Sequence, residues 1–254
     1  VDKARLQAKS FMAKEGKESL NFAFPFNVPN GNILLDVPLG VMAPETDQMP
    51  SACKNWFTVG RWADVSNKQR GVTWVTLDAP LLQIGGLTAR LLNSQTNPDV
   101  WRKQVEPTQK IYSWAMNNHW GTNYRAYQEG PTVFRFVLRP HRKSGPAEAA
   151  RFATGFTQPL LARPAGGSPP VQPLLRVAPD EVLVTALKPS EDGKAWIVRL
   201  FGASGKAASA KLHWGQCAPK AVFLSDTSEQ PGQKVAGRVP VPGYGLTTLR
   251  VEFQ

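Results

Sequence analysis

Ser19-Leu20-Asn21-Phe22-Ala23-Phe24-Pro25-Phe26 alternates large apolar side chains with small or polar ones, which places Leu20, Phe22, Phe24 and Phe26 on one face of an extended strand. Pro29-Asn30-Gly31-Asn32 follows with the residue types of a turn, so Ile33 to Leu39 reads as the returning strand of a hairpin. The same texture continues along the chain. Trp56 to Val65, Gly71 to Leu77, Leu81 to Leu92, Ile111 to Trp120 and Thr132 to Leu138 are rich in strand-forming residues and bounded by Asn, Asp, Gly or Pro. With 21 Gly and 22 Pro spread throughout, the pattern is that of an all-β protein. Pro146 to Phe156 is the exception: its Ala- and Glu-containing stretch predicts a short helix, with Ser144 as cap and Gly155 near the end.

Residues 162–173 hold Pro164, Gly166, Gly167, Ser168, Pro169, Pro170 and Pro173, a composition that cannot build a core and reads as a linker. It separates a larger β-region over 1–161 from a small β-sandwich over 174–254. In the latter, Leu174 to Val177, Val182 to Leu187, Ala195 to Gly202, Ala208 to Trp214, Ala221 to Leu224, Lys234 to Val241 and Thr247 to Phe253 are the expected strands. No fixed-period repeat is visible, which argues against a propeller or solenoid.

The chain has 254 residues, 42% of them hydrophobic and 19% charged, the balance of a globular protein able to bury a core. Its apolar runs are broken within a few residues, far short of the roughly 20 needed for a membrane span. Val1 to Ser10 is charged and polar, without the apolar stretch of a secretory signal, and the opening Val suggests either processing or an artificial boundary; no compartment follows from this. The net charge of +11 is scattered singly, with no basic helix or nucleic-acid motif, so neither a nucleic-acid nor a membrane partner is expected. Cys53 and Cys217 stand far apart and read as buried or free thiols.

Chemistry-bearing patterns are few. His119, His141 and His213 have no companion ligand at metal-binding spacing, and no nucleophile elbow or phosphate-cradling loop occurs. Asp36, Glu45, Asp47, Asp64 and Asp78 read as commonplace acids at strand ends and turns, without evidence of the pairing that glycoside hydrolysis needs. Arg61, Asp64 and Arg70 read as a surface ion network, and Arg135, Arg139, His141, Arg142 and Lys143 as a solvated basic cluster. Trp56, Trp62 and Trp74 read as core.

The informative stretch is Tyr112-Ser113-Trp114-Ala115-Met116-Asn117-Asn118-His119-Trp120-Gly121-Thr122-Asn123-Tyr124. Aromatic faces can cover the C–H patches of a pyranose while amides offer donor and acceptor to adjacent hydroxyls. The alternative is that Trp114 and Met116 are core and that Asn117, Asn118 and Asn123 satisfy loop backbone groups.

Several ordered segments resemble a known family. Phe24-Pro25-Phe26, Trp62-Ala63-Asp64-Val65-Ser66-Asn67 with Gly71-Val72-Thr73, Asp78-Ala79-Pro80-Leu81, Asn117 to Asn123, and Phe134 to His141 are similar to the C-terminal region of glycoside hydrolase family 38, the zinc-dependent α-mannosidases. Ala186-Leu187-Lys188-Pro189, Asp192-Gly193, Val198 to Phe201 and Leu246 to Val251 extend the resemblance to the chain's end. It implies a large galactose-mutarotase-like β-sandwich, or supersandwich, followed by a small β-sandwich. It also implies that the catalytic residues and zinc belong to an N-terminal domain carrying a His-x-Asp pair. Here His119, His141 and His213 are followed two positions on by Gly121, Lys143 and Gly215, so no catalytic residue, cofactor or metal is expected in this chain.

The expected function is therefore support of a catalytic domain acting on α-mannosides, with His119, Trp120, Thr122 and Asn123 lending one wall to the sugar cleft. The large sandwich starts part-way through the family pattern, so an upstream segment or a companion chain is expected to complete it. A stand-alone carbohydrate-binding module and a purely structural β-domain are the alternatives.

Overall fold

Period-two alternation makes flat apolar faces, and faces of this kind must be buried against one another. The computed structural model describes residues 19–88, 101–117, 130–162, 164, 166–167, 172–215 and 217–253. The chain divides into two compact units, Val1–Ser144 and Gly145–Gln254. This division falls ahead of the helix and leaves the Pro- and Gly-rich stretch inside the second unit.

The first unit contains β1 (Ser19–Pro25), β2 (Asn32–Val37), β3 (Gly40–Met42), β4 (Phe57–Thr58), β5 (Trp62–Ser66), β6 (Gly71–Thr76), β7 (Leu81–Ile84), β8 (Lys110–Asn117) and β9 (Phe136–His141). They form an antiparallel four-stranded sheet, ordered β1-β8-β7-β4, and an antiparallel five-stranded sheet, ordered β3-β2-β5-β6-β9. Between them lie Phe57, Leu82, Ile84 and Ile111 from the first sheet and Leu35, Ala63, Val65 and Trp74 from the second. Phe24 closes this core by meeting Trp74 edge-on at 5.6 Å and Phe136 at 5.2 Å between ring centroids. Trp62 and Trp74 are fully buried, as their strand positions predict.

The expected β1–β2 hairpin does not form: the two strands belong to different sheets. Their connection is part of the core, because buried Val28 packs between the layers. The turn lies beyond it, with the Gly31 amide donating to the Val28 carbonyl at 2.9 Å and Asn30 at φ 54°. A tight hairpin would have kept both strands in one layer and left Phe22 and Phe24 no opposing aromatic face. Ala115 is the extra residue of a bulge in β8, since Met116 and Trp114 face the consecutive residues Leu20 and Asn21.

The second unit contains α1 (Pro146–Thr157), β10 (Leu175–Ala178), β11 (Val182–Pro189), β12 (Trp196–Gly202), β13 (Ala208–Trp214), β14 (Ala221–Ser225), β15 (Val239–Val241) and β16 (Leu246–Glu252). Gly145, not Ser144, is the N-cap of α1, with Pro146 just inside; Gly155 falls near the end, in the last turn, as expected. The strands form a three-stranded sheet, β10-β13-β15, and a four-stranded sheet, β11-β12-β16-β14. Val182, Val198, Leu200, Leu249 and Val251 of one meet Ala210, Val239 and Val241 of the other. Both units are thus layered β-structures consistent with sandwiches.

Candidate functional site

Antiparallel neighbours point to the same face, so the register separates the two sides of the four-stranded sheet. Ile84 and Ile111 face the core, whereas Gln83, Tyr112, Trp114 and Asn21 face outward. On that outer side Trp114, only 3% exposed, packs with half-buried Trp56, Leu81 and Trp101. The Trp56 ring lies 5.8 Å from Trp101 and meets Trp114 at 70° across 6.2 Å.

Beside these rings runs a network of amides. Gln83, 1% exposed, donates to Asn21 Oδ1 at 2.9 Å and accepts the Thr88 amide at 2.8 Å. Asn55, also 1% exposed, donates from Nδ2 to the Thr88 carbonyl at 3.4 Å and accepts the Arg102 amide at 3.1 Å. Thr88 Oγ1 returns a bond to the Asn55 carbonyl at 3.0 Å, and Arg102 Nη1 donates to the Ile84 carbonyl at 2.8 Å. Asn55 thus ties Thr88, which follows β7, to Arg102, which precedes β8. These buried amides are satisfied by one another, which rigidifies the platform rather than leaving it to solvent.

The predicted site residues His119, Trp120, Thr122 and Asn123 lie outside the described residues. The strand that precedes them in sequence, β8, belongs to this same sheet and ends at Asn117, paired with Ser19. Within the informative stretch, Trp114 is core to the outer aromatic group, as the alternative reading has it, whereas Met116 is only half-buried.

The acids resolve differently from their sequence reading. Asp36 and Asp64 sit inside strands and are buried, not at turns. Burial pushes the Asp36 carboxyl up against the opposing pull of Arg61, whose Nε donates to it at 3.1 Å. Asp64 Oδ2 accepts Thr73 Oγ1 at 2.7 Å and lies 2.8 Å from His141 Nε2, so the expected Arg61–Asp64–Arg70 network is replaced by two separate groupings. His141 accordingly leaves the expected solvated basic cluster, its side chain being only 5% exposed. Arg135 is clamped in two bonds, 3.0 and 2.8 Å, to Asp78.

At one end of the first unit a cleft of about 390 Å³ is lined by Asn32, Glu45, Glu106 and Gln109, among others. Glu45 is committed within it: Lys54 Nζ donates at 2.6 Å and the Val105 amide at 2.6 Å, and both hold its carboxyl below the usual range. A general acid of a glycosidase pair needs the opposite shift. Among the described residues no group of three or more His, Cys, Asp or Glu could hold a metal ion. Cys53 is half-buried and Cys217 exposed, both as thiols.

The second unit adds an ion cluster that sequence reading missed. Arg250, in β16, donates to Asp192 Oδ2 at 2.8 Å, to Glu252 Oε1 at 3.4 Å and to the Glu229 carbonyl at 2.9 Å.

Residues 181–254 match the family model described as glycosyl hydrolases family 38 C-terminal beta sandwich domain. In fold, the chain is similar to an alpha-mannosidase from Enterococcus faecalis V583, at 16% identity and a TM-score of 0.65, over 92% of this chain and 26% of that one. It is likewise similar to a glycosyl hydrolase family 38 protein from Enterococcus faecalis, at 16% identity and a TM-score of 0.61, over 92% and 26%. The chain therefore spans about a quarter of the length of these solved proteins. No curated protein matches it. The C-terminal region thus carries the family resemblance read from its sequence.

Proposed function

We propose that this chain is the C-terminal β-region of an α-mannosidase-like glycoside hydrolase, supporting a catalytic domain that belongs to the same polypeptide or to a companion chain. The match of residues 181–254 to the family 38 C-terminal sandwich carries the proposal. In this reading the first unit is part of a large galactose-mutarotase-like sandwich, and β8 delivers His119, Trp120, Thr122 and Asn123 to the wall of an α-mannoside cleft. The tryptophan and amide platform beneath gives that wall a rigid base, because its buried amides, Gln83 and Asn55, are hydrogen-bonded to their neighbours. Zinc, where the enzyme uses it, is held by the catalytic domain.

The test is an assay of the complete gene product on an aryl α-mannoside with and without a chelator. Hydrolysis that the chelator abolishes is expected; a complete product inert on every aryl α-mannoside overturns the proposal. Trp120→Ala then tests the wall, with kcat/KM falling by about tenfold or more at an unchanged melting temperature. A loss of stability of about 3–5 kcal/mol would instead assign Trp120 to the core.

A further inference from the structure

The second unit carries a cleft unrelated to the platform above. It has a volume of about 420 Å³, within the roughly 300–1,000 Å³ of small-molecule sites, and is lined by Gln172, Pro173, Arg176, His213, Trp214 and Gly215. The register explains the gathering. Arg176 of β10 lies directly opposite His213 of β13, and Leu175 opposite Trp214, so two basic side chains share the outer face while Trp214 turns toward the core and meets Phe253 at 5.4 Å. The two strands are drawn together beyond this point by the Gly215 amide, which donates to the Leu174 carbonyl at 3.0 Å. A side chain at Gly215 would collide with the Pro173 carbonyl, so the floor of the cleft requires glycine there.

The charge of this face is one-sided. Arg176, Lys211 and His213 are exposed on it, and its other outward positions are Ala178, Ser209 and Pro240. None of the three basic groups has an ion pair or side-chain hydrogen bond with another described residue. Basic residues placed directly across a strand pair oppose each other, and a carboxylate partner would normally relieve them. Here none of the face's own positions supplies one. An oxyanion entering between Arg176 and His213 would gain charge-assisted bonds to both, with the guanidinium fork offering a bidentate seat. Gln172 adds an amide for neighbouring hydroxyls, and the part of Trp214 left exposed borders the cleft with an apolar edge.

We infer that this cleft binds a pyranose-sized sugar bearing one anionic group, a carboxylate or a phosphate, held through Arg176 and His213. The inference stands independently of the proposed mannosidase role, since it uses no residue of the first unit. Isothermal titration of the full chain with glucuronate, glucose 6-phosphate, methyl glucoside and inorganic phosphate tests it. At least one of the two anionic sugars should bind saturably and about tenfold or more tighter than both methyl glucoside and inorganic phosphate. Glucuronate binding alone would specify the carboxylate, glucose 6-phosphate alone the phosphate. Arg176→Gln should weaken that binding by about tenfold or more. In the nitrogen-correlated spectrum of the imidazoles, the bound sugar should move the His213 resonances and leave those of His141 in place. No saturable binding, inorganic phosphate binding as tightly as the sugars, or Arg176→Gln binding unchanged would each overturn the inference.

Discussion

Arg250 is a basic side chain in a strand that ends in the core, 5% exposed, and it is tolerated there because three acceptors meet it. Truncation leaves the Glu229 carbonyl and the Asp192 carboxylate without that donor. Arg250→Met should cost about 2–3 kcal/mol, read from the urea midpoint at constant slope. The acids make the cluster pH-dependent. Asp192 is held well below the usual carboxylate range, first by Arg250, then by Ser190 and the Lys194 amide; Glu229 is lowered by Lys188 and the Glu191 amide. A carboxylate whose folded pKa is depressed stabilises fully above its unfolded pKa, about 4, and loses that contribution as pH falls through the folded value. Asp192→Asn should therefore show a shallower loss of stability than the native chain below about pH 4. Equal slopes in an acid series of melting curves would count against it.

Gly71 and His141 show a different limit of sequence reading. They are paired residues of β6 and β9, and a Cβ on Gly71 would stand 2.5 Å from the His141 ring. His141 looked like one of five basic residues because the glycine that admits its ring, and the Asp64 that receives it, come from distant strands. Gly71→Ala should destabilise by about 1–3 kcal/mol, with part of that loss absent in a His141→Ala background and the rest remaining because the new methyl would also collide with Ser66 Cβ. An additive double-mutant cycle would refute the close approach. Trp74 was legible for the opposite reason, since alternation places it on the inner face with Ala63; Trp62 is equally buried, but its register opposite Val75 puts it on the other face of the sheet.

At the level of elements, patterns gave strands but not their partners. Ala208 to Trp214 matches β13 at both ends. Lys234 to Val241 shrinks to Val239–Val241, because Gly237 turns at φ 86° and Lys234 makes only an isolated bridge to Phe223. The strand expected from Leu81 pairs only as far as Ile84, where Gly85 takes φ 82°. Nothing in β1 or β2 reveals that they lie in different sheets; that choice belongs to Val28 and to the aromatic residues of β6 and β9. The Asn55 tether was equally hidden, since its partners Thr88 and Arg102 are far along the chain. Asn55→Ala should speed amide hydrogen exchange at Arg102 by about tenfold, while Gly85, bonded to the Lys110 carbonyl at 3.0 Å, keeps its rate. Unchanged exchange at Arg102 would mean that Asn55 is not what holds Thr88 and Arg102 together.

At the scale of the molecule, the ordered motifs suggested one family along most of the chain, whereas the family model matches residues 181–254. The candidate sugar wall could be named from its residue types but not placed, because a loop's position depends on long-range packing that composition does not encode. The two layered units are more secure, since each has a core drawn from both of its own sheets. A core closed within each unit makes each a cooperative body, and a chain built this way departs from a single two-state transition. Calorimetry should therefore resolve two transitions. Arg250→Met should lower only the one belonging to Gly145–Gln254, by on the order of 10 °C, and Gly71→Ala only the other. If both substitutions shifted one common transition equally, the two cores would have to be treated as a single cooperative unit.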